Sequence, residues 1–237
     1  MTIKETTTRK ELPNSELLLP YFGPYAAYVL IANFGSSLPE AIDYAVRIIV
    51  TSALLWYFRK RYQPLRGPLR VSTSVLVGIA AGLAGVVLWI LLLLPFRESA
   101  TGESLPAGAF LMRVIAAATV VPLAEELLCR GYILGIITQW QEARRNGSKQ
   151  AVSDVLDRKS VRSITPGAAT ALAVILSSAA FAAGHTPAQW VAAFGYGVAM
   201  AMLWIVRRDL ITPIVAHAVT NVVLYAYIWW SDAWWLW

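Results

Sequence analysis

Three short polar patterns interrupt hydrophobic stretches of this chain, and their residue types are those of acid–base chemistry. The patterns are Glu-Glu-x-x-x-Arg at 125–130, Phe-x-x-x-His at 181–185 and His-x-x-x-Asn at 217–221. His185 and His217 are the only histidines of the sequence. Ionisable groups at bilayer depth cost about 2.5–3.5 kcal/mol each on insertion scales, and so by default they mark function. The patterns therefore predict a catalytic centre inside a membrane.

The first pattern predicts two different roles for its neighbouring acids. On a helix, Glu126 and Arg130 are four residues apart and share a face, so we expect them to form an ion pair. Glu125 is rotated by about 100° and points elsewhere, which favours a side chain in a cavity. A partly desolvated carboxylate is a competent general base. The alternative is that Glu125, Glu126 and Arg130 form a buried polar cluster with a purely structural role.

The two histidines are predicted at different places on their helices. His185 precedes Thr186 and Pro187, which resemble a helix N-cap and first helical position, so it should lie at a helix end. His217 and Asn221 are four residues apart and should share a helix face. A capping histidine and hydrogen bonding between helices are the non-catalytic alternatives for these two patterns.

Composition predicts an integral membrane protein. Hydrophobic residues make up 57% of the 237 and charged residues 14%, whereas a soluble domain has about 25% charged residues. The net charge of +6 comes from basic residues in short loops between the predicted spans. This distribution is typical of membrane orientation and not of a polyanion-binding face, so we expect no nucleic-acid partner. The single cysteine, Cys129, excludes an internal disulfide.

The order of apolar and polar stretches predicts an all-α, polytopic transmembrane bundle of seven to eight spans. Residues 1–19 form a polar arm, and residues 20–237 form one membrane-embedded domain. The predicted spans are 20–35, 41–58, 73–95, 108–138, 167–184, 187–206 and 211–230. The fourth stretch would make a helix of about 46 Å, well beyond the hydrocarbon thickness. Pro122 should kink or break it, which leaves room for a short or re-entrant eighth segment.

The basic loops predict the orientation of the chain. Loops 59–70 and 139–166 and the turn at 207–208 carry most of the positive charge, which places them and the N-terminus in the cytoplasm. The tryptophan-rich tail 229–237 would then lie at the outer interface. Two arginines fall within or near spans. We expect Arg47 to pair with Asp43 and Arg113 to extend to the interface, with binding of a peptide carboxylate as the alternative.

Together, the three ordered patterns resemble the signature of the CAAX-protease and bacteriocin-processing family (CPBP, or Abi). These are intramembrane proteases that include the CAAX prenyl endopeptidases. The resemblance covers about 110–225, and Gly131, Gly195 and Gly197 also match it. The opening Leu-Pro-Tyr-Phe at 19–22 is similar to a bacterial subgroup linked to exosortase systems, which implies a bacterial cytoplasmic membrane. The charged loop 139–166 departs from the usual pattern.

The resemblance implies an endopeptidase that cleaves a hydrophobic or lipidated peptide. Glu125 and His185 would deprotonate the attacking water, and His217 and Asn221 would donate hydrogen bonds to the oxyanion. Glu126 and Arg130 would hold the helix in place and tune the electrostatics of Glu125. No cofactor is implied. Zinc is the alternative, because two histidines and a glutamate could supply three ligands, although no His-Glu-x-x-His pairing is present.

Two other classes of function compete with proteolysis. Intramembrane Glu, His and Arg also build the relays of proton- or ion-coupled transporters, although the sequence has no inverted repeat. A pseudoprotease that binds peptides without cutting them is the third class. Straight helices would place His185 and His217 about 20 Å apart in depth. If the two histidines share one site, the helices must be tilted, segment 187–206 must be shortened, or the cavity must reach deep into the bilayer.

Overall fold

The computed structural model describes residues 11–34, 38–99 and 102–236, and those residues form helices, turns and loops without a strand. The predicted all-α architecture is thus confirmed. The helices are α1 (Asn14–Phe34), α2 (Glu40–Phe58), α3 (Val71–Leu93), α4 (Ala107–Ala118), α5 (Val120–Glu126), α6 (Leu134–Arg145), α7 (Ala151–Arg158), α8 (Ala171–Ala183), α9 (Trp190–Arg207) and α10 (Ile211–Ser231). A π-helical segment (Leu127–Ile133) joins α5 to α6.

In the described part of the chain, six helical segments are long and apolar enough to cross a membrane, and the short apolar α8 lies between two of them. The six are Asn14–Phe34, Glu40–Phe58, Val71–Glu98, Ala107–Arg145, Pro187–Arg207 and Ile211–Ser231. Together with α8, they coincide with the seven predicted stretches. Their lipid-facing sides carry exposed large apolar side chains, such as Leu76, Leu91 and Val206. The chain is therefore an integral membrane protein.

The predicted N-terminal arm is too long. Residues 1–10 lie outside the described part of the chain, but α1 already begins at Asn14, which is fully buried. The Asn14 amide donates to Gln139 and to the Val155 carbonyl, and its oxygen accepts from the Val161 backbone N–H. Because one polar side chain satisfies partners in three later segments, it is buried rather than left in a solvated arm.

The predicted loop 139–166 is also partly helical. α6 continues to Arg145, and α7 follows after a turn at Gly147, whose φ is +84°. Val155 of α7 packs with Ala143 and Ala151 in a small apolar cluster. This cluster explains why a charged stretch folds here, since α7 buries one face while its charges remain outside.

The three basic loops meet at one end of the bundle, which we call the basic end. The Leu210 backbone N–H donates to the Leu65 carbonyl, at 2.9 Å. Gly67 and Gly167 both approach the turn after α9. An added Cβ at Gly67 would lie 2.1 Å from the Arg208 carbonyl oxygen, and an added Cβ at Gly167 would lie 2.7 Å from the Ile205 carbonyl oxygen. The other end of the bundle carries the loops at 102–106 and 184–186.

The segment Ala107–Arg145 breaks near the predicted proline. Thr119 separates α4 from α5 with φ −128° and ψ −83°, and its N–H bonds to the Ala116 carbonyl in a tighter turn. Pro122 lacks the N–H that would bond to the carbonyl four residues earlier, so a regular helix cannot continue through this point. The break and the π-helical segment that follows it change the directions in which Glu125 and Glu126, which lie between them, point.

Candidate active site

Glu126 and Arg130 form the buried ion pair that their spacing predicts. Arg130 Nε lies 3.2 Å from Glu126 Oε2, and both side chains are inaccessible to solvent. Arg130 also donates to the Gly197 carbonyl of α9 at 2.7 Å. An added Cβ at Gly197 would lie 3.1 Å from Ser178 Cα, so the glycine lets α8 and α9 pack closely beside the arginine. The pair therefore joins three helical segments.

Glu125 faces a cavity while Glu126 does not, as the helical rotation predicts. His217 lies between the two acids. Its Nδ1 is 3.0 Å from Glu126 Oε1, and its Nε2 is 3.8 Å from Glu125 Oε2. When Nδ1 donates to Glu126, Nε2 is the ring atom directed to the cavity. The second acid thus has a defined function as an anchor for both Arg130 and His217.

His185 follows the end of α8, in agreement with its predicted place at a helix end. Its Nδ1 is 3.0 Å from the Phe181 carbonyl, and since a carbonyl only accepts, Nδ1 carries the proton. Nε2 is then free to accept a proton or to hold a water. The ring packs against Phe181 and Trp89, with centroid distances of 4.9 and 5.5 Å.

Phe181 also contacts His217, with ring centroids 5.6 Å apart, so the two histidines share one site. The shortened helix that a shared site requires is α8 rather than segment 187–206, which keeps 21 helical residues. The 13 residues of α8 extend only about 20 Å, less than the hydrocarbon thickness of about 30 Å. A helix of this length is too short to span the hydrocarbon layer by itself.

Asn221 has a contact that its pattern did not predict. Its side-chain amide donates to the Ala117 carbonyl at 2.9 Å, next to the break between α4 and α5. An amide nitrogen has two donors, and Asn221 also lines the cavity, so the second N–H can serve a bound molecule. The side chain both holds the broken helix and faces the site.

The four predicted catalytic residues line one cavity of about 470 Å³. Glu103, in the loop before α4, lines it as well, so the cavity reaches from the end opposite the basic loops down to Glu125. Sequence reasoning missed most of its aromatic wall. These residues are Tyr28, Tyr44, Trp89, Tyr196 and Tyr225. They lie on α1, α2, α3, α9 and α10 and have no distinctive spacing.

Arg47 and Arg113 also line this cavity. The predicted ion pair of Arg47 with Asp43 is present. The guanidinium of Arg113 lies over the ring of Tyr225, 5.7 Å from its centroid, and its extension to the interface stays a prediction.

No group of three His, Cys, Asp or Glu side chains in the described part of the chain is arranged to hold a metal ion. Glu125, His185 and His217 line the same cavity without forming such a group. Chelation is the test of the zinc alternative.

A helical bundle that encloses a polar cavity with paired acids and two histidines defines a polytopic membrane protein with a buried polar site. The family model described as type II CAAX prenyl endopeptidase Rce1-like matches residues 107–223, which contain all three patterns. The chain thus belongs to the CAAX-protease and bacteriocin-processing family, a family of proteases. Searches of curated proteins and of solved structures each found no match. The link to an exosortase-associated subgroup stays a prediction.

Proposed function

We propose that this protein is an intramembrane endopeptidase that hydrolyses a peptide bond of a membrane-associated or lipidated peptide. The observation that carries the proposal is the convergence of Glu125, His185, His217 and Asn221 on one cavity. These residues come from three helical segments. Buried acids and histidines within a membrane are costly, so their convergence favours chemistry over packing.

In this mechanism, Glu125 and His185 act on the attacking water. Glu125 accepts one proton as the water oxygen bonds to the scissile carbonyl carbon, and His185 Nε2 holds the water in line. The carbonyl π electrons move to oxygen, which forms the tetrahedral oxyanion. Glu125 then delivers the proton to the leaving nitrogen as the C–N bond breaks, so that a new carboxyl end and an amine are released.

His217 and Asn221 are the proposed donors to the oxyanion. In this role His217 carries a proton on both ring nitrogens, so that Nδ1–H donates to Glu126 and Nε2–H is left for the oxyanion, while the Asn221 amide is held by the Ala117 carbonyl. Both donors are thus positioned before substrate binds. Donors that are already oriented toward developing charge contribute about 2.7–4 kcal/mol each. Arg130 offsets the charge of Glu126 and keeps that acid in place.

Substitution of Glu125 tests the proposal. We expect Glu125→Gln and His185→Ala to abolish cleavage of peptides that the wild-type protein cuts in liposomes, while both variants accumulate in membranes. The matched control is Glu142→Gln, an exposed acid on the same long segment, at the basic end. Comparative peptidomics of cells with wild type or Glu125→Gln identifies the natural substrate. Full activity of either site variant would refute the mechanism.

The competing functions have separate readouts. A transporter would move protons or ions across liposomes without cutting peptide, and a pseudoprotease would bind peptide and release it intact. Activity that survives exhaustive chelation, in protein without stoichiometric metal, would separate the glutamate mechanism from a zinc mechanism. We further propose that no cofactor and no nucleic acid takes part, and that the protein resides in a bacterial cytoplasmic membrane.

A further inference from the structure

A second, largely apolar cavity of about 660 Å³ lies between α2 and α5, and we call it the lateral groove. The loop after α2 closes it toward the basic end. Its apolar walls are Leu55 and Trp56 on α2, Val120 and Leu123 on α5, and Leu127 directly after α5. The Trp56 side chain is 68% exposed, so the groove is open at the surface that α2 presents to the membrane.

Helix α5 separates the lateral groove from the cavity that holds the proposed catalytic residues. Val121 and Glu125, four residues apart, line that cavity, whereas Leu123 and Leu127, also four apart, line the groove. A helix with its side chains is only about 10–12 Å across. α5 has seven residues and lies between the break at Thr119 and the π-helical segment. A molecule in the groove would therefore pack against the back of the short helix that carries Glu125.

Two arginines line the lateral groove where it meets the basic end. Arg162 Nε is buried and has no hydrogen-bond partner among the described residues. Arg59 lies over the ring of Trp56 at 3.9 Å and donates to the Trp56 carbonyl at 2.7 Å, which holds the guanidinium and leaves its other N–H groups for a ligand. The described residues that line the groove include no Asp or Glu. The groove thus combines apolar walls with a positively charged end.

The order of these residues along the helices matches the depth profile of a phospholipid. Arg59 directly follows α2, and Ser52, which also lines the groove, lies seven residues earlier, about 10 Å deeper along the axis. On the facing wall, Thr119 and Leu127 are eight residues apart, or about 12 Å. Tryptophan rings such as that of Trp56 prefer the membrane interface. The charged end therefore lies at headgroup level and the apolar walls lie below it.

We infer that the lateral groove binds an anionic phospholipid of the surrounding membrane, with its phosphate on Arg59 and Arg162 and one acyl chain along α5. A planar guanidinium matches phosphate oxygens with parallel N–H donors. Basic pockets between membrane helices are typical sites for anionic headgroups, and the apolar walls add contact that a merely basic surface lacks. The bound lipid supports α5 from the side opposite the proposed catalytic residues.

Lipid binding to the full-length protein tests the inference. Phosphatidylglycerol and phosphatidylcholine with identical acyl chains are titrated onto the protein in detergent, and native mass spectrometry gives the dissociation constant of the most tightly bound lipid. We expect phosphatidylglycerol to bind roughly tenfold more tightly, as one charge-assisted contact implies, because the choline cation faces two arginines. Glycerol phosphate, which has the headgroup chemistry without acyl chains, should not compete.

Paired arginine variants separate the groove from the general charge of the basic end. We expect Arg59→Gln/Arg162→Gln to remove the preference for phosphatidylglycerol. The matched control is Arg61→Gln/Arg66→Gln, which removes the same charge from two exposed residues of the loop after α2 that are not among the lining residues. This control should keep the preference.

The apolar part of the groove has its own pair of variants. Ser52 lines the groove and Ala53 does not, and both are exposed on α2, so the fold can accommodate a larger side chain at either position. We expect Ser52→Trp to fill the space of the acyl chain and to weaken phosphatidylglycerol binding roughly tenfold, and Ala53→Trp to leave it unchanged. Thermal unfolding without added lipid verifies that each variant is folded, and the tryptophan pair tests the groove even if the arginine double variant does not fold.

Several results would overturn the phospholipid site. They are equal affinity for the two lipids, a preference that survives Arg59→Gln/Arg162→Gln, and equal losses in Ser52→Trp and Ala53→Trp. Competition by glycerol phosphate would show an anion site without a lipid chain. Protein dimers that Ser52→Trp dissociates would assign the groove to a second copy of the chain, and displacement of phosphatidylglycerol by a lipidated peptide would assign it to the substrate. Because none of these measurements involves cleavage, the result does not depend on the proposed endopeptidase function.

Discussion

Glu125 and Glu126 are neighbours in sequence but have different surroundings. Glu125 faces the cavity, and its side chain is 15% exposed, whereas Glu126 is fully buried between Arg130 and His217. A buried charge needs a partner, and Glu126 has two. The pattern Glu-Glu-x-x-x-Arg thus combines an acid that faces the cavity with an acid that keeps the neighbouring groups in position.

The protein should lose far more stability when one member of the buried Glu126–Arg130 pair is replaced than when both are replaced. Removing one member leaves an uncompensated buried charge, so we expect Glu126→Leu to lower the free energy of unfolding by about 3–5 kcal/mol. The double variant Glu126→Leu/Arg130→Met should be less destabilised than Glu126→Leu. Thermal unfolding of all three purified proteins, wild type included, measures the effect. Single and double variants of equal stability would contradict it.

At the scale of helices, two irregular helical segments place the residues of the site. The segment Ala107–Arg145 breaks at Thr119 and widens to a π-helix after Glu126, and α8 ends after only 13 residues. A regular 39-residue helix would turn Glu125 and Glu126 to other neighbours. A full-length α8 would lift His185 away from His217. The irregular positions thus bring the acids and the histidines to a common depth.

Close packing of α3 on α10 should be a second requirement of the site. An added Cβ at Gly82 would lie 2.6 Å from the carbonyl oxygen of Ala216, the residue before His217. Because a backbone atom cannot yield cheaply, we expect Gly82→Ala to destabilise the protein by about 1–3 kcal/mol and to reduce activity. Gly108→Ala is the control, because an added Cβ there meets nothing within 4 Å. Thermal unfolding that is unchanged in Gly82→Ala would refute the packing argument.

At the scale of the whole molecule, the basic end predicts the orientation in the membrane. Three basic loops converge there, and the positive-inside rule predicts that they lie in the cytoplasm. We therefore propose that the cavity opens toward the outer leaflet, since Gly102 and Glu103 line it from the opposite end.

Cysteine labelling tests this orientation. Cys129 is 3% exposed, so an introduced cysteine should be the reactive thiol. We expect Glu103→Cys to react with a membrane-impermeant maleimide in intact cells and Ser148→Cys to react only after the membrane is opened. Wild-type protein, with Cys129 alone, is the control for background labelling. Labelling of Ser148→Cys in intact cells would show the opposite orientation.

The sequence by itself determined the apolar helices and the contacts within a helical turn. Glu126 pairs with Arg130, because residues four apart on a helix share a face. Pro122 likewise predicted the break in the long segment, because its ring removes a backbone donor. Local geometry was sufficient for each of these predictions.

Only the tertiary structure decided which helices meet. Glu126 and His217 are 91 residues apart in sequence, and Asn221 and Ala117 are 104 apart. Helical spacing carries no information on such pairs, since they depend on how helices pack and where each one ends. For the same reason the sequence did not predict the aromatic neighbours of Arg113, which come from other helices. The shared site of the two histidines exists because α8 is short and the bundle folds around it.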